Sequence, residues 1–219
     1  MGKISILTKE QKECLDQIRK NKYICENFYF TGGTALSEYY LHHRYSDDID
    51  LFTDVKYDHQ IILGFIKELS NNLKINYKVK RTEIVDMYFL EYSPVNILKI
   101  DFVYSGDKRL KIGSKDKGLF IDSFMDIAVN KITAINDRLS VKDFVDYYYI
   151  SQHYTVWDLI EGARKKCRRD IDPWTLSTDF LSVESFDSMP RMIKPLSLEQ
   201  LKIFYRQKAT ELGMKQVEK

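Results

Sequence analysis

Cysteine is scarce. Cys14, Cys25 and Cys167 form an odd set with no CxxC pair. That excludes a disulfide framework and a thiolate zinc site, and it fits a reducing compartment. Proline and glycine are also few, 4 and 9 residues. So few turn-formers argue against disorder and against a turn-rich all-β fold. No apolar run approaches the roughly 20 residues that a membrane span needs. The opening MGKISILTKEQKECL lacks the apolar core of a signal peptide. The chain therefore reads as cytoplasmic, with no membrane partner. Charge of one sign is missing too. The 34 basic and 32 acidic residues leave +2, which does not by itself announce a nucleic-acid binder. There is no internal repeat and no low-complexity segment.

What is present is 219 residues, 44% hydrophobic and 30% charged. That is ordinary globular composition, enough for one large domain or two small ones. The patterning predicts a helix over Thr8–Lys20, with Thr8 and Gln11 as a capping box. The segment Phe28–Gly33 predicts a strand entering a tight turn, and Thr34–His42 a helix. Asp48–Phe52 alternates with period two, as a strand does. A helix over Asp58–Leu69 follows. Strands are expected over Tyr77–Thr82, Val85–Tyr92 and Ile97–Tyr104, with Pro94 as a break. From about Ile121 the pattern turns helical: Asp122–Asp137, Val141–Gln152, Trp157–Arg168 and Ser197–Leu212. Residues 170–196 read as a long connection holding at most one short helix. The expectation is an α+β domain over residues 1–118 and an α-helical bundle over 119–219.

The most informative stretch runs from Phe30 to Phe52. Carboxylates at i and i+2 on a strand project from one face, so Asp48 and Asp50 sit side by side. Unpaired, they repel; a hard cation between them removes the penalty, and magnesium favours carboxylates plus substrate phosphates. Gly32-Gly33 lets backbone N–H groups approach a ligand closely, the following helix directs its positive end there, and Thr34 offers a hydroxyl. Asp101, on the polar side of Leu98-Lys-Ile-Asp-Phe-Val, is a third carboxylate able to share a metal or accept a proton. Each feature alone is commonplace: a turn, a solvated loop, an exposed strand residue. Their conjunction within one short span predicts a phosphate cradle joined to a metal-binding carboxylate set.

At these residues the chain resembles the AbiEii/AbiGii-type nucleotidyltransferases (the DUF1814 group). The pattern is Gly32-Gly33-Thr34-Ala35-Leu36, then His43-Arg44-x-Ser46-x-Asp48-Ile49-Asp50-Leu51-Phe52. The resemblance is close over Phe30–Phe52 and looser to about Ile150. It implies a polymerase-β-like core, a small mixed sheet flanked by helices, followed by a C-terminal helical bundle. It implies that Gly32, Gly33 and Thr34 contact a nucleoside triphosphate and that Asp48 and Asp50 bind magnesium or manganese. The family's helical motif maps onto Lys131, Arg138, Lys142, Asp143 and Asp146, which the resemblance places among the catalytic and nucleotide-binding residues. Some members are toxins of toxin–antitoxin systems, so an antitoxin is a possible partner.

Independently, Lys131 falls inside the apolar stripe Phe124, Ile127, Ala128, Ile132 and Ile135. An inward lysine must either snorkel or meet an anion such as triphosphate. Asp143 and Asp146 share a helix face; the alternatives are a catalytic role, a solvated surface, or pairing with Lys142 and Arg138. Arg44 is placed to pair with an acid. His42 and His43 lack a third ligand for zinc. Arg164, Lys165, Arg168 and Arg169 form a basic run, either a solvated helix end or a grip on acceptor phosphates. Tyr147–Tyr149 reads as packing. The expected reaction is transfer of a nucleotide from a triphosphate to an acceptor. The resemblance alone implies RNA, in particular a tRNA-like 3′ end, as the expected acceptor, with a protein or a small molecule as alternatives. The competing class is a catalytically silent nucleotide-binding regulatory module.

Overall fold

The computed structural model describes residues 5–217, with side chains through residue 214. The chain divides into two compact units. One comprises residues up to Tyr40 together with Ser46–Ser123; the other comprises Leu41–Tyr45 and the chain from Phe124 onward.

The first unit opens with α1 (Lys9–Ile18), closed at its start by the reciprocal Thr8–Gln11 capping box. Cys14, Leu15 and Ile18 form its buried stripe. A short α2 (Lys22–Asn27), capped by Asn21, leads into β1 (Tyr29–Thr31). The chain then turns through α3 (Gly32–Ala35) into a π-helical segment, Leu36–Leu41. β2 (Ile49–Thr53) is followed by α4 (His59–Leu73), which Asp58 caps and which buries Ile62, Phe65, Ile66 and Leu69. β3 (Asn76–Arg81), β4 (Val85–Ser93) and β5 (Asn96–Tyr104) form an antiparallel meander. Two short strands, β6 (Lys115–Asp116) and β7 (Leu119–Ile121), complete a seven-stranded mixed sheet in the order β3-β4-β5-β2-β1-β7-β6. Its parallel pairs are β2 with β5 and β1 with β7.

Two positions decide the site. β2 pairs antiparallel with β1, setting Thr31 opposite Asp50. It pairs in parallel with β5, setting Asp50 opposite Asp101. β7 lies in a stretch whose pattern suggests a boundary. Its partner β1 is some ninety residues earlier, a non-local pairing that three residues of local periodicity do not reveal.

The second unit contains α5 (Phe124–Asp137), α6 (Val141–Ile150), α7 (Val156–Cys167), α8 (Pro173–Leu181), a 3₁₀ turn (Ser182–Ser185) and α9 (Leu198–Val217). α8 falls where a long connection with one short helix is expected, with Asp172 as N-cap and Pro173 in the first turn. Tyr147, Phe180 and Tyr205 are packed ring against ring at the centre, as expected for Tyr147. Among the described residues, no helix is long and apolar enough to cross a membrane.

Candidate active site

The sheet strands sort their side chains by alternation. On β2, Ile49, Leu51 and Thr53 are buried, while Asp50 and Phe52 are half-buried on the other face. On β5, Leu98, Ile100 and Phe102 are buried, and Lys99 and Asp101 share the opposite face. Because the two strands pair in register, Asp50 and Asp101 are neighbours on one face, about 4.8 Å apart strand to strand. Asp48 precedes β2 by one residue and is half-buried.

Asp101 is the most constrained of the three. One oxygen, Oδ2, accepts from Lys99 Nζ at 2.5 Å. The other, Oδ1, is buried without a hydrogen-bond partner. Burial raises the Asp101 pKa and the Asp48 charge adds to that, against the opposing pull of Lys99. Lys99, which the motif pattern does not single out, completes this cluster. Burial alone would lower its pKa; the bond to Asp101 and the charges of Asp101, Asp48 and Asp50 raise it instead. Its i,i+2 spacing from Asp101 on a strand was the available signal.

The glycine turn lies against the same carboxylates. Gly32 has φ +74°. A Cβ there would fall 1.9 Å from Asp50 Oδ2, so glycine is required both by the backbone and by the carboxylate beside it. Thr31, at the N-cap of α3, makes no side-chain cap. Its hydroxyl donates instead to Asp122 Oδ2 at 2.8 Å. The first amides of the turn are therefore left uncapped by Thr31. Gly33 is buried in the turn. Thr34 is also buried, and its hydroxyl donates to the Asp48 carbonyl, tying turn to carboxylate segment rather than offering itself to a ligand.

The remaining expected residues gather in the second unit. Lys131 Nζ lies 2.7 Å from both Asp143 Oδ1 and Asp146 Oδ2. Asp143 also accepts from Arg138 Nε at 2.8 Å. Asp146 accepts from Arg44 through Nε at 2.6 Å and Nη2 at 2.8 Å, and from His43 Nε2 at 2.6 Å. Arg44, His43, Asp143 and Asp146 are buried. Burial would push both aspartates up, but the cations around them hold Asp143 below, and Asp146 well below, the usual range. Burial lowers the His43 pKa, so the neutral ring donates to the carboxylate. Lys131 thus meets anions supplied by its own unit.

The basic run is largely answered inside the same unit. Arg164 pairs with Asp170 at 2.8 Å and Glu161 at 3.2 Å, and Lys165 with Glu161 at 3.3 Å. Arg169 pairs with Asp137, and Lys166 is buried against Asp126. Arg168 takes the left-handed C-cap of α7 and is exposed.

Among the described residues, no group of three or more His, Cys, Asp or Glu side chains is placed to hold a metal ion by itself. What the first unit does hold is a row of carboxylates with one buried oxygen that has no hydrogen-bond partner, and a glycine turn with the Asp50 carboxylate packed directly against it. Those features fit a hard cation completed by substrate phosphates.

An uncharacterised protein of Aquifex aeolicus (strain VF5) is 35% identical over 175 residues, 76% of this chain and 78% of that protein. In fold, the chain is similar to a putative nucleotidyltransferase from H. pylori, with TM-score 0.60, 23% identity, and 95% and 97% of the two chains covered. It is also similar to MenT4, a nucleotidyltransferase toxin from Mycobacterium tuberculosis H37Rv, with TM-score 0.53, 13% identity, and 92% and 82% covered. The family model described as nucleotidyl transferase AbiEii toxin, type IV TA system, matches residues 15–216. With that match spanning nearly the whole chain, the protein belongs to the AbiEii family and is a nucleotidyltransferase.

Proposed function

We propose that this nucleotidyltransferase is metal-dependent and transfers a nucleotide from a nucleoside triphosphate to an RNA acceptor, acting as the toxin of a toxin–antitoxin pair. The observation that carries the metal reading is the in-register Asp50–Asp101 pair, with Asp101 Oδ1 buried and unpartnered. Asp48, Asp50 and Asp101 would hold a divalent cation, magnesium or manganese. Such an ion, when bound, neutralises charge on the triphosphate. The backbone N–H groups of Gly32 and Gly33 bind triphosphate oxygens. Thr34 contributes by fixing the Asp48 segment against that turn. Lys99 holds Asp101 Oδ2, which leaves Oδ1 as the atom that would turn to the cation, and the proton of the attacking acceptor hydroxyl passes to water. The hydroxyl oxygen bonds to the α-phosphorus and pyrophosphate leaves.

Lys131, Arg138, Asp143 and Asp146 act in this reading through the helical unit. Together with His43, they anchor Arg44, which lies four residues ahead of Asp48. RNA as acceptor and an antitoxin as partner follow from the family's toxins. The test is incubation with each labelled nucleoside triphosphate and total cellular RNA, with manganese or magnesium. Labelled RNA and released pyrophosphate are expected, and neither with the Asp48→Asn, Asp50→Asn double variant. Full activity of that variant sinks the metal assignment. Label on a protein or small molecule overturns the RNA acceptor. Stabilisation by triphosphate with no pyrophosphate release would favour a silent nucleotide-binding module.

A further inference from the structure

The carboxylate face of the sheet continues into an aromatic row. Tyr29 stands two residues before Thr31 on β1, and Phe52 two residues after Asp50 on β2. Tyr29 pairs with Phe52 across β1 and β2, and with Phe120 across β1 and β7. Strand alternation puts these rings on the same face as Asp50 and Asp101. They lie roughly 7 Å further along the strands, two residues at about 3.4 Å each.

The connection between β5 and β6 lies over this row. The Arg109 guanidinium sits 4.7 Å from the Tyr29 ring centre and 5.8 Å from that of Phe120. Lys115 Nζ lies 4.1 Å over Phe120. The connection is pinned at both ends. Ser105 N donates to Thr53 O at 2.9 Å, and Ile121 N to Ser114 O at 2.8 Å. Gly113 packs so closely that a Cβ would fall 1.7 Å from Ile121 O.

The strap formed by this connection, β6 and the turn into β7 is basic where it meets water. Lys108, Lys115 and Lys117 are exposed. The acid between the last two, Asp116, is taken by Arg19 at 2.5 Å and Tyr39 at 2.7 Å. The contrast with Arg164–Arg169 is direct, since most of that run is neutralised by acids of its own unit.

We propose that Lys108, Lys115 and Lys117, on a strap that Arg109 clamps to the aromatic row, form the surface that binds the sugar-phosphate backbone of the RNA acceptor. This rests on the RNA reading above and moves the grip from the α7 run to the sheet face that carries the carboxylates. Lys115, stacked on Phe120, loses little freedom on meeting a phosphate. The aromatic row under Arg109 lies only roughly 7 Å along the strands from the carboxylates, which suits a strand whose terminal hydroxyl is the nucleophile.

The experiment measures binding of total cellular tRNA to the intact protein, without nucleotide, across about 50–200 mM salt. The Lys108→Gln, Lys115→Gln, Lys117→Gln variant is expected to flatten the slope of log affinity against log salt by about 2–3 and to lose at least about tenfold in affinity. Triphosphate binding, followed by thermal stabilisation, should be unchanged. The Arg164→Gln, Lys165→Gln, Arg168→Gln, Arg169→Gln variant should keep the wild-type slope to within about one. The reverse ranking overturns the strap assignment while leaving the RNA reading standing. Wild-type protein with no salt-dependent tRNA binding overturns both.

Discussion

Gly32 answers two demands that no other residue meets together. Its φ of +74° is a left-handed conformation, and its missing Cβ makes room for Asp50 Oδ2. Gly32→Ala therefore adds backbone strain of about 1–2 kcal/mol and displaces the carboxylate. The expected result is a fall in Tm of about 2–8 °C and a loss of activity on the order of 100-fold. Thermal denaturation beside a pyrophosphate-release assay would separate the two effects. Equal activity would show that Asp50 need not lie where the turn holds it. Lys99 is the complementary case. Its ammonium is bonded to Asp101 and lies in the field of Asp48 and Asp50. It therefore opposes a divalent cation entering the same cluster. Lys99→Met should bind Mn²⁺ about fivefold or more tightly without nucleotide, because a repelling positive charge is removed. Lys99→Arg should stay near wild type. Calorimetric titration reads this directly, and unchanged or weaker binding in Lys99→Met argues that Lys99 does not compete with the metal.

At the scale of elements, α5 and α6 are joined by charge as well as by apolar packing. Lys131 on α5 bridges Asp143 and Asp146 on α6, and Asp146 also holds His43 and Arg44. Removing one partner of such a buried set leaves uncompensated charge. Asp146→Ala is expected to cost about 3–5 kcal/mol in stability at pH 7, measured by chemical denaturation. The pH dependence has a definite sign. Asp143 and Asp146 are depressed from the ordinary 3.8 in the folded state, so their stabilisation is fully present above about pH 4 and is lost as pH falls through the depressed values. His43, lowered from 6.5 by burial, adds a loss that begins as pH falls below about 6.5. Asp146→Ala should show a shallower acid limb than wild type, and an identical limb would remove Asp146 from the account. Much at this scale was legible in advance. The period of two gave β2, β4 and β5, and the Thr8–Gln11 capping box marks the start of α1. The short β6 and β7 and the pairing of β1 with β7 were not, since a three-residue run such as Leu119–Ile121 carries no decisive period.

At the scale of the whole molecule, charge is arranged by pairing rather than by excess. The chain carries +2 in total, yet Arg164, Lys165 and Arg169 are matched by nearby acids, while among the described residues Lys108, Lys115 and Lys117 are exposed and form no ion pair. Such a difference is invisible to composition, because partners such as Arg169 and Asp137 lie 32 residues apart. By itself the sequence determined the chemistry on offer: a glycine turn, carboxylates spaced i,i+2, a third carboxylate on an apolar strand, and a helical half. These follow from local rules, since alternation along a strand and periodicity along a helix are properties of neighbouring residues. Only the tertiary structure decided which of those groups keep their charge for a ligand. It set Asp101 opposite Asp50 and left Asp101 Oδ1 unpaired. It turned the Thr34 hydroxyl to Asp48 and closed Lys131 onto Asp143 and Asp146. The reason is physical: a buried polar group must find a partner to offset its desolvation, and partners distant in sequence are chosen by strand register and helix packing.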